Sequence, residues 1–133
     1  MTADPSSQPL PASECLRLLK SAPVGRIVYT RSALPAVEPV RFALDDGHIF
    51  AAVGPDSMVP AAVHRSIAAF QADTFGDDPD RWTVTVIGNV LLVSDPAEIG
   101  KLRGMGLASW TPSRQDQFLH IRPGIVTGQR LIN

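Results

Sequence analysis

The sequence of 133 residues contains a single cysteine, Cys15, so the chain cannot form an internal disulfide bond. Small secreted domains that depend on disulfides are therefore excluded as a class, and a reducing compartment is expected. The 12 basic and 13 acidic residues leave a net charge of −1, without an excess of lysine and arginine. Because binding to nucleic-acid phosphates needs such an excess, no nucleic-acid partner is expected.

Long apolar runs are also lacking. No stretch approaches the roughly 20 apolar residues that a membrane-spanning helix needs, so no membrane partner is expected. The N-terminus has neither a basic start nor an apolar run, which argues against a signal peptide and predicts a cytoplasmic protein. Residues 1–12 are polar and contain proline, and they predict a flexible arm in front of one domain over residues 13–133.

What the sequence does contain is alternation of apolar and polar residues, which predicts a mainly β domain. The predicted strands cover residues 26–30, 35–44, 48–53, 67–72, 81–93, 118–121 and 125–131. The run Asp45-Asp46-Gly47 is a strong hairpin signal between the second and third strands. Tight turns of this kind indicate about six to seven mostly antiparallel strands.

Three short helices are predicted, over residues 14–20, 58–64 and about 96–102. In the first, Cys15, Leu18 and Leu19 form one apolar face. The third begins at Asp95-Pro96, with a capping residue followed by proline at the first helical position. Few short helices among many strands predict a small barrel whose ends are covered by the helices.

Self-contained catalytic motifs are absent from the sequence. It contains neither a glycine-rich phosphate loop nor a dinucleotide-binding fingerprint. The histidines His48, His64 and His120 lie far apart and lack the spacing of metal ligands, so each is predicted to face solvent or to form a hydrogen bond. If the protein is an enzyme, a bound cofactor is expected to supply the chemistry.

Several short pieces of sequence occur in an informative order between Ser13 and Arg130. They are Glu14-Cys15-Leu16 with Leu18-Leu19, Val24-Gly25-Arg26, Pro35-Ala36-Val37 with Pro39-Val40 and Phe42, Phe70 with Ala72-Asp73, Trp82-Thr83-Val84 with Gly88, Trp110 with Pro112, Ile121-Arg122-Pro123, and Val126-Thr127-Gly128 with Arg130. In this order and spacing the chain resembles the pyridoxamine 5′-phosphate oxidase-like, flavin-binding split-barrel proteins.

The resemblance implies a split β-barrel and a homodimer, with FMN or the deazaflavin F420 held in a groove between the subunits. It implies a cofactor-binding protein, with activity as a flavin- or deazaflavin-dependent oxidoreductase as one outcome. Because the family includes members without an established reaction, the fold alone does not fix the function. The alternative is a non-catalytic, dimeric binding module.

The site for the flavin phosphate departs from the family pattern. Where the family commonly has Arg-Thr at the end of a strand and Ser-Lys at the start of a helix, this sequence has Ala51-Ala52 and Ser57-Met58. Compared with the family pattern, the sequence lacks the arginine, the lysine and the threonine hydroxyl at these positions. Each lost charge-assisted contact costs about 1.5–3 kcal/mol, which favours the alternative of a module that has lost its phosphate clamp.

The candidate cofactor-binding residues implied by the resemblance are Arg41, Phe42, Ala52, Ser57, Met58 and, contributed by a partner subunit, Trp110; no catalytic or metal-binding residue is assigned. If Phe42 points into the core, strand alternation turns Arg41 outward, toward the groove or the partner subunit. A loop tryptophan is costly to expose, so Trp110 is expected to contact a partner subunit or a ligand ring.

Overall fold

The computed structural model describes residues 7–22, 24–75, 77 and 79–132. Its seven strands are β1 (Ser7–Pro9), β2 (Gly25–Arg31), β3 (Leu34–Asp45), β4 (His48–Val53), β5 (Ser66–Thr74), β6 (Arg81–Leu92) and β7 (Gln117–Leu131). Its three helices are α1 (Ala12–Leu19), α2 (Val59–Val63) and α3 (Pro96–Gly104). The prediction of a mainly β fold with about six to seven strands and three short helices is confirmed.

The strands form one antiparallel sheet in the order β1-β7-β4-β3-β2-β5-β6, and β6 also pairs with β7. The sheet therefore closes on itself into a barrel, which leaves few open edges. The β3–β4 hairpin has the predicted turn, with Asp46 and Gly47 both at positive φ. No helix in the described part of the chain is long and apolar enough to cross a membrane.

Both faces of β4 are buried, which sets the position of the site described below. Ile49, Ala51 and Val53 point into the main core inside the barrel, as strand alternation requires. Phe50 and Ala52 point outward into a second apolar cluster. That second cluster is completed by Val93, Leu102, Leu107 and Phe118. Helix α3 and the segment after it thus cover the outer face of β4.

The C-terminal part of the chain corrects one prediction. Residues 118–121 and 125–131 were expected to form two strands separated by Pro123-Gly124, but both belong to the continuous strand β7. The pairing of β7 with β6 shifts register between Ile87 and Gly88. This bulge accommodates the proline, which has no N–H for the ladder, without ending the strand.

The N-terminal arm requires a second correction. Within the predicted arm over residues 1–12, Ser7–Pro9 forms β1 and pairs with Leu131, Arg130 and Gln129 of β7. The backbone partners supplied by β7 order a polar segment that has no apolar pattern of its own. Residues 1–6 lie outside the described part of the chain.

Helix α1 buries Cys15, Leu18 and Leu19 against the barrel, as its spacing predicts. Burial raises the pKa of the Cys15 thiol, which fits an inert core residue. Helix α3 has the predicted cap, since a side-chain oxygen of Asp95 accepts a hydrogen bond of 3.0 Å from the backbone N–H of Ala97.

Candidate functional site

A recess of about 380 Å³ lies beside the C-terminal end of β4. Its walls are formed by residues 38–40 of β3, residues 52–53 of β4, the turn over residues 54–57, and residues 109–111 and 113 of the segment after α3. We call it the tryptophan recess. It brings together Ala52, Ser57 and Trp110, three of the six residues singled out in the sequence.

The two neighbouring alanines of β4 have different surroundings. Ala51 is fully buried in the main core inside the barrel. Ala52 lies on the opposite face of the strand, where it contributes to the second apolar cluster and to the wall of the tryptophan recess. A side chain at position 51 therefore points away from the recess, and position 52 is the one beside it.

The hydroxyl group of Ser57 is already engaged by protein groups. It donates a hydrogen bond of 3.0 Å to the Glu38 carboxylate and accepts one of 3.2 Å from the backbone N–H of Val59. Ser57 thus stabilises the start of α2 and ties it to β3. With its proton given to Glu38, this hydroxyl is not free to donate to a phosphate group in this arrangement.

Trp110 forms the outer wall of the recess and is 49% exposed. Its indole N–H donates a hydrogen bond of 3.0 Å to the backbone carbonyl of Pro39. The guanidinium carbon of Arg41 lies 5.1 Å from the centre of the indole ring, within range of a cation–π interaction. Arg41 is therefore brought to the site through Trp110, on the outward face that strand alternation predicts.

The structure places the remaining two candidates away from the recess wall. Phe42 packs edge-on against Phe70, with ring centres 4.7 Å apart, and contacts the main core. Met58 directly precedes α2 and is 50% exposed, without contributing to the wall.

A buried pair of polar residues fixes the segment that carries Trp110. The carboxylate of Asp116 accepts a hydrogen bond of 2.9 Å from the backbone N–H of Ser109, and its other oxygen lies 2.6 Å from the Ser109 hydroxyl. Burial raises the pKa of Asp116, but the hydrogen bonds from Ser109 and Ser113 outweigh it and hold the pKa below the usual 3.8. Sequence reasoning missed this pair.

The charge of the tryptophan recess is negative. Glu38 and Asp56 line it, and none of its lining residues is a lysine or an arginine. Arg41 contacts the Trp110 ring but is not itself among the lining residues. The wall of the tryptophan recess therefore presents two carboxylates, and no cation, to a phosphate group.

The fold brings two of the dispersed histidines into contact. Nδ1 of His48 lies 2.6 Å from Nε2 of His120, and the two rings stack with centres 4.8 Å apart. Burial, and then the neighbouring His48, lower the pKa of His120 below 6.5. Nδ1 of His64 accepts a hydrogen bond from the backbone N–H of Leu92. No group of three metal-ligating residues occurs in the described ranges.

Comparison with known proteins matches residues 11–130 to a family model described as pyridoxamine 5′-phosphate oxidase. The uncharacterized protein Rv0080 of Mycobacterium tuberculosis is 36% identical over 131 residues, covering 92% of this chain and 84% of that protein.

Two solved structures are similar over nearly their whole length. A Corynebacterium glutamicum protein, provisionally assigned as a pyridoxamine 5′-phosphate oxidase, has a TM-score of 0.84 at 26% identity, covering 96% of this chain and 99% of that one. The FAD binding protein from Mycobacterium smegmatis has a TM-score of 0.81 at 27% identity, covering 95% of this chain and 99% of that one.

Proposed function

Because this chain belongs to the pyridoxamine 5′-phosphate oxidase family, we propose that it binds a flavin-type cofactor, with the ring system in the tryptophan recess. The observation that carries the proposal is the recess itself, which Ala52 of β4 and Trp110 of a distant segment both line. The similarity to the M. smegmatis FAD binding protein supports the class of ligand. FMN and F420, which the family resemblance implies, are the first ligands to test.

The walls of the recess suit a flat aromatic ring. The small side chain of Ala52 leaves room, and the half-exposed indole of Trp110 offers an apolar face for stacking. The hydrogen bond from Trp110 to Pro39 and the contact with Arg41 fix the indole before a ligand arrives. A wall that is already ordered reduces the entropy lost on binding.

The charge of the recess sets the preference among flavins. Glu38 and Asp56 disfavour a doubly charged phosphate monoester such as that of FMN inside the recess, so the ring binds there and the phosphate lies outside. A bound flavin or deazaflavin would supply hydride transfer, and the chain's own residues would orient the ring and exclude water from one face.

We also propose a homodimer, formed through an apolar area on the outer face of the barrel. Ile87 of β6 pairs directly with Ile125 of β7, and Ile67 of β5 pairs with Asn89, two residues further along β6. All three isoleucines are exposed, Ile67 to 69% and Ile125 to 59%. An exposed apolar area on three adjacent strands is typical of a protein–protein interface.

A fluorescence titration tests the proposal directly. The purified protein is titrated with FMN, FAD, F420 and riboflavin in parallel, and Trp110→Leu is titrated beside the natural protein. Saturable binding in the micromolar range that weakens in Trp110→Leu supports the proposal. Absence of binding by all four ligands would overturn it.

The second candidate function is a dimeric binding module without redox activity. The carboxylates of Glu38 and Asp56, together with the absence of lysine and arginine from the wall of the recess, favour this alternative. The two candidates differ in turnover. Oxidation of reduced F420 or NADPH with a bound flavin excludes the inactive module, whereas flavin binding without turnover supports it.

A further inference from the structure

A second recess, of about 230 Å³, lies on the outer face of the barrel where β6 and β7 meet the end of α2. Its walls are Arg65, Asn89, Val90, Leu91, His120 and Arg122. We call it the arginine recess. It contrasts with the tryptophan recess, since it has two arginines and no carboxylate among its lining residues.

The backbone holds Arg65 in an unusual conformation. Its φ is +62°, in the left-handed region that bulky side chains rarely adopt. Its N–H donates a hydrogen bond of 2.8 Å to the carbonyl of Val90, and the preceding His64 accepts a bond from the backbone N–H of Leu92. Two hydrogen bonds with β6 therefore fix the backbone position of Arg65, from which its side chain extends. A strained conformation that the surroundings maintain is typical of functional positions.

Arg122 lies on the other side of the recess. It pairs across the sheet with Asn89, so the guanidinium and the amide project from the same face of adjacent strands. Two residues earlier on β7, the ring of His120 is fixed by stacking on Phe50, with ring centres 4.7 Å apart, and by its contact with His48. The wall between the arginines is thus rigid.

Neither the Arg65 nor the Arg122 guanidinium group forms a hydrogen bond or an ion pair within the described part of the chain. By contrast, Arg17, Arg26 and Arg130 each pair with a carboxylate. In a chain with a net charge of −1, two arginines line one recess that has no carboxylate among its lining residues. A cleft lined by one sign of charge concentrates ions of the opposite sign.

We propose that the arginine recess binds the phosphate group of a small phosphorylated molecule. Two guanidinium groups and one amide approaching from different sides match the several oxygens of a phosphate better than the single plane of a carboxylate. The recess of about 230 Å³ has room for a phosphate group together with the atoms that attach it to the rest of the molecule. This site is independent of the ring-binding role proposed for the tryptophan recess.

Titration with inorganic phosphate at constant ionic strength, without any flavin, tests the site. Backbone amide shifts followed by NMR are expected to saturate at residues 89–91 and 120–122. Arg65→Gln and Arg122→Gln are each expected to weaken binding about tenfold or more, the effect of losing one charge-assisted hydrogen bond. Arg31→Gln is the matched control, because it removes the same charge from an exposed strand end.

The phosphate can belong to a flavin or to a separate ligand, and a second titration distinguishes the two. If Arg122→Gln weakens binding of FMN but not of riboflavin, the site holds the flavin's own phosphate. If FMN and inorganic phosphate bind without competing, the site serves a separate phosphorylated molecule. Both results support the phosphate site, and neither depends on whether flavin turnover is found.

Three results would overturn the proposal. One is the absence of saturable shifts at these amides in the natural protein. Another is an equal loss in Arg31→Gln, which would indicate unspecific attraction of anions. The third is an Arg122→Gln variant that keeps its phosphate affinity but dissociates from a dimer, which would show that Arg122 pairs with a carboxylate of a second copy. Thermal unfolding of each variant establishes that it is folded.

Discussion

The guanidinium carbon of Arg41 lies 5.1 Å from the centre of the Trp110 ring, although the two residues belong to different parts of the fold. Arg41 extends from β3, whereas Trp110 lies in the segment between α3 and β7. A hydrogen bond from the indole N–H to Pro39 strengthens the same contact. Together these interactions attach the outer wall of the tryptophan recess to the barrel.

Replacing Trp110 by leucine is expected to weaken flavin binding. Loss of ring stacking costs about 0.5–1.5 kcal/mol, which corresponds to roughly twofold to tenfold in affinity. Fluorescence titration with FMN and FAD measures the change. Phe75→Leu is the control, because Phe75 is also an exposed aromatic residue but lies outside the recess. Equal affinity of the natural protein and Trp110→Leu would place the ring elsewhere.

Replacing Met58 by lysine is expected to strengthen FMN binding by about tenfold or more, through a new charge-assisted contact with the phosphate. Met58 is half-exposed just before α2, so a lysine fits there without repacking. Met105→Lys is the matched control, since it adds the same charge at another half-exposed methionine. Riboflavin, which has no phosphate, should bind Met58→Lys and the natural protein alike.

An unchanged FMN affinity in a folded Met58→Lys dimer would contradict the placement of the phosphate near the start of α2. A simultaneous loss of FMN affinity in Arg122→Gln would then place the flavin phosphate in the arginine recess.

Replacing Asp116 by asparagine is expected to lower the free energy of unfolding by about 1–3 kcal/mol, because a buried ionised acceptor is lost. Asp116 has a pKa below 3.8 in the folded protein, so its contribution is present above pH 3.8 and is lost as the pH falls through the folded value. The difference in the free energy of unfolding between Asp116→Asn and the natural protein should therefore become smaller in acid. Urea unfolding at several pH values measures it, with the exposed Asp46→Asn as control.

Gly88 is expected to be intolerant of alanine. A Cβ atom at this position would lie 1.8 Å from the backbone carbonyl oxygen of Arg122, so the bulge between β6 and β7 would have to open. The expected loss is at least about 2 kcal/mol in the free energy of unfolding. Gly100→Ala in α3 meets nothing within 4 Å and should instead stabilise the helix by about 0.5–1 kcal/mol. Similar effects of the two changes on thermal unfolding would contradict this account.

Replacing Ile125 by glutamate is expected to dissociate the proposed dimer, because a charge would be buried without a partner at the centre of the apolar face. Light scattering after size-exclusion chromatography measures the mass. Leu34→Glu, at a similarly exposed residue of the β2–β3 hairpin, should leave the mass unchanged. A dimer that survives Ile125→Glu would place the interface on another face.

The elements that the sequence predicted correctly depend on neighbouring residues. The turn at Asp46-Gly47 and the capped start of α3 at Asp95 follow from backbone preferences that are local to each segment. The strand at β7 was divided incorrectly because Pro123-Gly124 is a local breaking signal. The pairing with β6, which allows the bulge, is formed by residues distant in the chain.

The candidate site also combines features that the sequence predicts with contacts that form only in the folded chain. Strand alternation placed Arg41 on the outward face, where it contacts Trp110. Ala52 and Trp110 of the same chain line one recess, although Trp110 was expected from a partner subunit. Phe42 was singled out with them, yet it packs on Phe70 of β5, a contact that only the β2–β5 pairing makes possible. The hydrogen bond from Ser57 to Glu38 could not be predicted from the sequence either.

The sequence by itself determined the class of fold, the family, and the absence of cations at the expected phosphate position, because each depends on residue identity and spacing. Only the tertiary structure decided which side chains meet. His48 and His120 are 72 residues apart and touch, and Arg65 and Arg122 converge on one recess. Such contacts arise when the sheet closes into a barrel, and the register of distant strands then fixes them.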